Sequence, residues 1–403
     1  MRRTLPMLIL LFLVRAALAA DLAPIALHDG WPVRDLPADP PEEVTLATEV
    51  VWTLDCGDQA ETLVGRLRHA AAGHDGRLFL ADTQMGHVLQ ISPEGEVEAA
   101  RGREGEGPGE FKGLYRVMQL PDGRLGAVGG APAPTFVIGL RGELVFIDAD
   151  DDPASHWLVG GDPGSVPTTA VRDLRQAGGR LLVVTDRTQV SPPEMTQVRE
   201  LSLLEAPDGA RTVIARQLWT TAMDDVAFHE RDQFSALAYG RCDLAADGRV
   251  AVAPERDRWL VAVGEPGGTG VVWHRPIAGP VRSDDQREAA REEQGVADLT
   301  QICERDPVIG RVRWRPDGRL WVEPRGVAPR PGCVACFDEI TADGHLARRV
   351  HLAVDGAPEH GRLQLLPDGR MVWFEGFEWR DDAFEGAPRV RLLRLAAPDD
   401  ARS

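Results

Sequence analysis

The sequence is short of basic charge, and of lysine in particular. Lys112 is the only lysine among 403 residues, so the other cations are arginines, and 63 acidic residues bring the formal net charge to −18. A general nucleic-acid binder needs a positive face to neutralise phosphates, and an acidic chain repels polyanions. We therefore expect no nucleic-acid partner.

Long apolar runs are also missing, except at the amino terminus. Arg2 and Arg3 precede the apolar run Leu5–Val14, and the small-residue site Ala17–Ala19 follows it, which is typical of a cleaved signal peptide. The run is shorter than the roughly 20 residues of a membrane span, so an uncleaved anchor is the weaker alternative. We predict a signal peptide over 1–19, cleaved near Ala19. The product is expected to be periplasmic or extracellular, with no integral membrane segment left.

What the sequence does contain is a repeated turn. The tripeptide Asp-Gly-Arg predicts a tight hairpin where it stands between alternating apolar runs. Further runs and a second, looser turn follow most copies, so the repeating unit is a four-stranded antiparallel meander. The copies are Asp75–Arg77, Asp122–Arg124, Asp247–Arg249, Asp317–Arg319 and Asp368–Arg370, with Gly178–Arg180 as a degenerate sixth.

The two ends of the repeat array fit each other. The sixth unit ends after three strands, and one unpartnered strand, Glu49–Leu54, precedes the first unit. A strand supplied from the amino terminus would complete the last unit, close a ring and remove its exposed edge. We predict an all-β six-bladed β-propeller of four-stranded antiparallel blades over 46–398. A proline-rich linker over 20–45 precedes it, and a tail over 399–403 follows.

Two intervals between turns, of 69 and 70 residues, are far longer than the 40–45 residues of a minimal blade and carry insertions. The extra residues fall at Thr220–Tyr239 and Ala278–Pro307. In the second insertion, between blades 4 and 5, Ser283 and Gln286 match a capping box and Gly295 supplies a stop, so we predict a short helix there. It would act as a lid or partner contact, or be a solvated connector.

The stretch Gly76–Leu114 resembles the repeat of NHL-type propellers. The residues that carry the resemblance are the strand end Ala81-Asp82, then Gly86-His87-Val88, and the loop Gly102–Phe111. The wider pattern is similar to secreted six-bladed propellers of bacteria. This resemblance implies a fold and binding at one face, but it implies no reaction, because function lies in sites grafted on a fold.

One basic position recurs in all six predicted innermost strands. Equivalent positions in closed blades form a ring about the axis, so these side chains would meet near the mouth of the central channel. Guanidinium groups there would bind an anionic ligand such as a carboxylate, phosphate or sulfate. The residues, six before the first residue of each turn, are His69, Arg116, Arg172, Arg241, Arg311 and Arg362.

A structural role for the same arginines is the alternative. Two cations about 10 Å apart repel by about 1.7 kcal/mol at an effective dielectric constant of 20, which favours pairing each arginine with an acid across its hairpin. Arg116 faces Gly129 and Gly130 instead, so we predict that Arg116 is the arginine free to contact an anion. The opposing acids of the other blades are Asp82, Asp186, Glu255, Glu323 and Glu375.

The predicted inner strands contain few residues of the kinds that serve as catalytic groups or metal ligands. A channel metal needs several imidazoles or carboxylates converging from inner strands, and among the histidines only His69 stands on such a strand. No glycine-rich phosphate loop and no nucleophilic serine motif is present. We predict no catalytic residue and no cofactor, although carboxylates could form a calcium site that the sequence does not reveal.

Five cysteines remain after the signal peptide, so at least one cannot pair within the chain. In an oxidising compartment disulfides are expected. The candidates are Cys242, Cys303, Cys333 and Cys336, with Cys303 joined to Cys333 or to Cys242. A redox or zinc role for the pair Cys333 and Cys336 is the alternative.

Taken together, these features favour an exported, non-enzymatic binding or scaffold propeller. It would engage an anionic small molecule or a protein partner at its loop-rich face. The alternative is a metal-dependent lyase or hydrolase with its site in the central channel.

Overall fold

In a computed structural model of the chain the described residues are mostly β-strand, and they include the helix α1 (Asp284–Gln294) and the 3-10 turn Leu299–Gln301. The predicted signal peptide and tail lie outside the residues that the structure describes. These are 28–57, 63–105, 110–111, 113–114, 116–119, 125–129, 143–146, 169–191, 193–205, 211–222, 230, 240–294, 296, 298–356, 361–377 and 387–396.

Antiparallel sheets follow one another along the chain. The first contains β3 (Leu67–Ala72), β4 (Leu78–Asp82), β5 (His87–Ile91) and β6 (Val97–Arg101) in that order. The second contains β9 (Arg116–Gln119), β10 (Leu125–Gly129) and β11 (Glu143–Phe146). The third contains β12 (Thr169–Ala177), β13 (Arg180–Ser191), β14 (Glu194–Glu205) and β15 (Arg211–Ala222).

The fourth sheet contains β16 (Cys242–Leu244), β17 (Val250–Val252), β18 (Trp259–Gly264) and β19 (Gly270–Arg275), with β1 (Val33–Asp35) added in parallel to β19. A separate parallel pair joins β7 (Arg103–Glu104) to β8 (Glu110–Phe111).

The remaining strands form one continuous eight-stranded sheet. In spatial order they are β20 (Ile309–Trp314), β21 (Leu320–Pro324), β22 (Cys333–Ile340), β23 (Leu346–Ala353), β2 (Glu43–Asp55), β26 (Arg389–Leu395), β25 (Met371–Glu375) and β24 (Arg362–Leu365).

Strand β2 joins the two ends of the chain. Its residues 43–47 run parallel to β23, and its residues 48–55 run antiparallel to β26. The strand predicted to close the ring, Glu49–Leu54, lies within this second part. Because β2 satisfies the hydrogen bonds of both neighbours, neither of those strands presents an open edge.

The repeated tripeptide forms tight turns for a local reason. The aspartate accepts a hydrogen bond from the backbone N–H two residues later, as in Asp75 to Arg77 (3.2 Å) and Asp368 to Arg370 (3.0 Å). The glycine between them is left-handed, with φ 88° in both turns, a conformation that residues with a Cβ rarely adopt.

The predicted linker over 20–45 differs from the structure where it is described. Residues 33–35 form β1, residues 43–45 begin β2, and Leu36 is buried. The side chain of Arg275 donates a hydrogen bond to the carbonyl oxygen of Pro37 at 3.0 Å. Prolines do not prevent this, because β1 is an edge strand and the prolines flank it.

The helix predicted in the second insertion is present as α1. The Ser283 N–H donates to Gln286 Oε1 (2.8 Å), and the Gln286 N–H donates to Ser283 Oγ (3.2 Å), which is the predicted capping box. Of the first insertion little is described, but Glu230 accepts two hydrogen bonds from Arg282, both at 2.8 Å. This ion pair links the two insertions.

The hydrophobic core lies between neighbouring sheets. Leu80 and Leu89 of the first sheet, for example, are buried against Phe374 and Leu392 of the eight-stranded sheet. Burying a side chain of this size stabilises the fold by roughly 1.5–3 kcal/mol. Packing of this kind brings the first strand of each unit to one central cavity.

Candidate functional site

A cavity of about 1250 Å³ lies among the innermost strands β3, β9, β12, β16, β20 and β24. Its wall is strongly basic although the chain carries a net charge of −18. Among the described residues the acids in the wall are Asp243, Asp247 and Asp368. The arginines outnumber them; they are Arg68, Arg116, Arg175, Arg249, Arg311, Arg313, Arg315, Arg362 and Arg370.

The predicted ring reaches this wall only in part. His69, Arg116, Arg311 and Arg362 line the cavity. Arg241 is buried but is not among the lining residues. The side chain of Arg172 lies outside the described residues.

The sequence alignment of β12 was wrong by one residue. In the first sheet the Gly73 N–H donates to the carbonyl oxygen of Arg77, so three residues form the turn between them. At the end of β12, Ala177 pairs with Arg180, so only two residues form the turn. Counting back from these pairs, Asp173 and not Arg172 occupies the position of His69. A carboxylate therefore stands where a guanidinium was expected.

Asp173 accepts the hydrogen bonds that connect the strands on this side of the cavity. It is fully buried, and each of its oxygens accepts two hydrogen bonds. Oδ1 accepts from Arg116 Nη1 (2.7 Å) and the Leu174 N–H (2.8 Å); Oδ2 accepts from Arg175 Nη2 (2.9 Å) and the Gly240 N–H (2.8 Å). These contacts join three consecutive sheets.

The prediction that Arg116 is free to contact an anion is therefore wrong. Its partner comes from the neighbouring sheet, which a comparison within one hairpin could not reveal. Burial alone would raise the pKa of Asp173, but the charges of Arg175, Arg116 and Arg313 lower it to about 2. The carboxylate is ionised at neutral pH and holds two guanidiniums at the wall.

The alternative prediction of cross-hairpin ion pairs holds for Arg311. Its Nε and Nη2 contact the two oxygens of Glu323 at 2.7 and 3.0 Å. Three of the other opposing acids bind different arginines: Asp186 binds Arg199, Glu255 binds Arg258, and Glu375 binds Arg391. Asp82 instead accepts backbone N–H groups, including those of Gly65 (2.6 Å) and Arg66 (3.0 Å).

Polar side chains also connect the last inner strand to the first. Arg362 Nη2 donates to the carbonyl oxygen of Arg68 at 2.7 Å. Gln364 pairs with the backbone of Ala70, accepting at 3.0 Å and donating at 2.6 Å. The wall is thus held together by hydrogen bonds between sheets as well as within them.

His69 lies between two hydrogen-bond donors. The Val117 N–H is 3.5 Å from Nδ1, and Gln364 Nε2 is 3.5 Å from Nε2. Burial, together with the charges of Arg116, Arg175 and Arg362, places the pKa of His69 well below its ordinary value. With its pKa lowered in this way, the imidazole is neutral at pH 7.

A second layer of the wall was missed by the sequence reasoning. Arg313 Nη1 donates to the carbonyl oxygen of Gly240 at 3.0 Å, and burial lowers the pKa of Arg313 to about 10. Asp243 accepts from the Trp314 N–H at 2.7 Å. Asp243, Arg313 and Gln364 all stand four residues before the aspartate of their turns, so extending the alignment by two residues would have found them.

The described residues do not fit a metal centre. No group of three or more His, Cys, Asp or Glu side chains is placed to hold a metal ion within them. The oxygens of Asp173 are each occupied by two N–H donors, and guanidiniums surround them. A divalent cation would be repelled by this wall, so no step is derived through a metal.

The predicted disulfides are not present. All five cysteines lie among the described residues and all are thiols. Cys242 is in β16, whereas Cys333 and Cys336 are in β22 of a different sheet. Burial raises the pKa of Cys56 and of Cys336 to about 12, so both stay protonated and unreactive at neutral pH.

Comparison with known proteins shows the fold. No family model matches the chain, and no curated protein matches it. A solved structure from Bacteroides fragilis described as an exported protein is 12% identical and covers 91% of this chain and 100% of its own, with a TM-score of 0.50. Together with the sheet arrangement, the solved neighbours support a β-propeller.

Two further solved structures are similar at lower scores. Virginiamycin B lyase from Staphylococcus aureus is 8% identical and covers 87% of this chain and 100% of its own, with a TM-score of 0.42. A gluconolactonase from Xanthomonas campestris is 14% identical and covers 85% and 89%, with a TM-score of 0.38. At these identities the likeness concerns the fold alone.

The comparisons correct two predictions. The named neighbours are a lyase and a gluconolactonase, so the interpretation of the chain as a non-enzymatic binding or scaffold propeller is withdrawn. No family model supports the resemblance of Gly76–Leu114 to NHL-type repeats.

A membrane-spanning helix was also searched for among the described residues. None of their helices is long and apolar enough to span a membrane.

Proposed function

We propose that the protein is an exported, six-bladed propeller enzyme that acts on a small anionic substrate in its central cavity. Its class is lyase or hydrolase, with acid–base chemistry at His69. The observation that carries the proposal is the basic wall, in which arginines outnumber aspartates inside an acidic chain.

Six blades are supported by the strands around the cavity. Each of β3, β9, β12, β16, β20 and β24 begins an antiparallel sheet or one end of the eight-stranded sheet. If β2 is counted with both of its neighbours, it adds a fourth strand to the unit of β24, β25 and β26. This arrangement supports a ring of six blades that closes as a propeller does.

An anionic substrate follows from electrostatics. Like charges about 10 Å apart repel by about 1.7 kcal/mol each at an effective dielectric constant of 20, so a wall of guanidiniums is stabilised by an anion bound among them. A cleft of one sign also concentrates ligands of the opposite sign. Arg116 and Arg175 stay paired with Asp173, and Arg311 stays paired with Glu323, while their partly exposed surfaces add to the positive potential of the cavity.

Acid–base chemistry follows from the remaining polar groups. No Ser, Thr, Cys or Tyr lines the cavity among the described residues, so they supply no covalent nucleophile of those types. A bound anion offsets the arginine charges that lower the pKa of His69, and the neutral imidazole then becomes a stronger base. His69 is thus activated by the substrate itself.

Two reactions fit such a base. In an elimination, His69 takes the proton from the carbon next to a carboxylate, the C–H electron pair forms the C=C bond, and the leaving group departs with its own bonding pair. The arginines stabilise the negative charge that builds up on the carboxylate. In a hydrolysis, His69 takes a proton from water as the water oxygen bonds to the acyl carbon; the acyl C–O bond then breaks, and the leaving oxygen takes that proton from His69.

The test is a substrate screen with purified protein. Carboxylates that carry a β-leaving group, lactones and acidic esters are assayed for alkene absorbance and for acid release. His69→Gln is expected to lower kcat by about 100-fold or more, while His74→Gln, in the same wall, serves as the matched control. Equal rates in wild type and His69→Gln would overturn the assignment of His69.

Export is supported by the pattern of residues 1–19. Amino-terminal sequencing of the protein recovered outside the cytoplasm is expected to find a start next to Ala19. Recovery of the intact Met1 terminus from the cytoplasm would contradict this part of the proposal.

A further inference from the structure

Arg241 is a buried cation with one donor nitrogen, Nη1, left unbonded within the described part of the chain. Its side chain is 5% exposed, and Nη1 is buried with no hydrogen-bond partner in the described part of the chain. Its backbone carbonyl accepts from the Ala253 N–H at 2.8 Å, so its place beside β17 is fixed. Buried polar groups are nearly always bonded, and an exception calls for an explanation such as an ion.

Arg256 supplies a second unpartnered donor beside it. This side chain is 3% exposed, and its Nε is buried without a hydrogen bond. Its other nitrogens are bonded, Nη1 to Asp257 at 2.7 Å and Nη2 to the carbonyl oxygen of Arg305 at 2.6 Å. Arg256 is also the charged neighbour that acts most strongly on Arg241.

A third guanidinium is held near the same place by the backbone. The Val308 N–H donates to the carbonyl oxygen of Arg256 (2.9 Å), and the Arg325 N–H donates to the carbonyl oxygen of Val308 (3.0 Å). Arg325 is exposed. Three arginines therefore meet where the fourth sheet adjoins the eight-stranded sheet, away from the residues that line the central cavity.

The acids nearby are already engaged. Asp186 receives both of its contacts from Arg199, at 2.6 and 2.8 Å. Glu230 receives two hydrogen bonds from Arg282. Asp257 attracts Arg241, but it is shared with Arg256, whose Nη1 donates to it at 2.7 Å. Burial together with repulsion from Arg256 and Arg325 outweighs that attraction and lowers the pKa of Arg241 to about 10.

We propose that this junction is a second binding site, which takes the oxyanion group of a phosphate, sulfate or carboxylate. Arg241 Nη1 and Arg256 Nε would donate to its oxygens from inside, and Arg325 would cover it from the surface. Guanidiniums suit such oxygens because their donors are planar and fixed. The proposal is independent of the enzymatic one, since it uses no residue of the cavity wall.

Thermal unfolding with inorganic phosphate, sulfate and acetate tests the site. Without anions, Arg241→Met is expected to melt at or above the wild-type temperature, because it removes a buried charge that Asp257 compensates only in part and keeps most of the volume. With phosphate, the wild type gains stability, and Arg241→Met loses most of that gain. A lower melting temperature of Arg241→Met without anions would show that Arg241 has a partner in the fold, which would overturn the proposal.

Arg325→Met keeps the test decisive if the buried variant fails to fold. Arg325 is exposed, so this variant is expected to fold normally and to bind phosphate about tenfold more weakly, the loss of one charged hydrogen bond. Arg313→Met removes a guanidinium of the central cavity instead. If phosphate stabilisation disappears in Arg313→Met and is unchanged in Arg325→Met, the anion binds only in the cavity and the second site is refuted.

A crystal soaked in selenate locates the anion directly. An anomalous peak within hydrogen-bond distance of Arg241 and Arg256, absent in Arg241→Met, is the expected result. A peak confined to the cavity wall or to lattice contacts would show an adventitious ion only and would count against the site.

Discussion

Arg116 and Arg241 occupy the same position in their repeats, yet their surroundings are opposite. Arg116 is bound to the buried carboxylate of Asp173 at 2.7 Å and lines the central cavity. Arg241 is buried among other arginines and has a donor without a partner. The repeat fixes where each backbone lies, but the neighbouring sheet decides whether the charge is compensated.

The contrast follows from which residue the next sheet offers. Next to Arg116 the third sheet offers Asp173, because its shorter turn moves the chain by one residue. The strongest charged neighbour of Arg241 is instead Arg256, and the attraction of Asp257 offsets that repulsion only in part. Compensated arginines stabilise the wall, whereas uncompensated ones mark places that an anion could fill.

Removal of Asp173 would make the two regions alike, and it carries the largest expected effect. In Asp173→Ala, Arg116 and Arg175 lose the buried carboxylate that both contact, and the free energy of unfolding is expected to fall by about 3–5 kcal/mol. Urea denaturation at pH 7 measures it.

Asp247→Asn is the control for that experiment, since its carboxyl group is half exposed and the turn keeps its acceptor. A change below about 1 kcal/mol is expected for this surface position. Equal losses in both variants would show that Asp173 contributes no more than an exposed turn residue.

The sequence predicted much of the fold because the repeat is local. The turns at Asp75 and Asp368 and the capping box of Ser283 depend on residues within a few positions. The pairing of Glu49–Leu54 with the last strand could also be inferred, since each end of the array lacked a partner.

The site was less predictable because its contacts cross between sheets. The bond from Arg116 to Asp173 spans 57 residues, and the contacts of Gln364 with Ala70 span 294. The one-residue difference in the turn at Gly178 moved the alignment, which hid Asp173 altogether. Burial of the linker residue Leu36 likewise depends on a distant sheet.

Lowering the pH tests the role of the Asp173 charge in the intact protein, because protonation removes that charge without a mutation. Since the pKa of Asp173 is lowered to about 2 in the folded protein, its contribution is present above the ordinary value near 4 and is lost as the pH falls toward 2. That contribution is about 2 kcal/mol at neutral pH. Arginines stay charged throughout this range.

Urea denaturation of the wild type and Asp173→Asn between pH 6 and about pH 2 measures this. The difference between them is expected to shrink as the pH falls. A difference that stays constant over that range would mean that Asp173 stabilises the fold by shape and hydrogen bonding rather than by charge.

Asp243 offers the smallest and most selective test, because it lies in the same wall with the opposite shift. Burial raises the pKa of Asp243, and the charges of Arg313 and Arg175 only partly offset that effect. Ionisation of Asp243 therefore costs stability as the pH rises, the reverse of Asp173. Asp243→Asn keeps an oxygen to accept from the Trp314 N–H (2.7 Å), so the free energy of unfolding at pH 7 is expected to change by less than about 1 kcal/mol. A loss of unfolding free energy as large as that of Asp173→Ala would contradict this prediction. It would show that Asp243, like Asp173, is ionised in the folded protein and compensates the arginines around it.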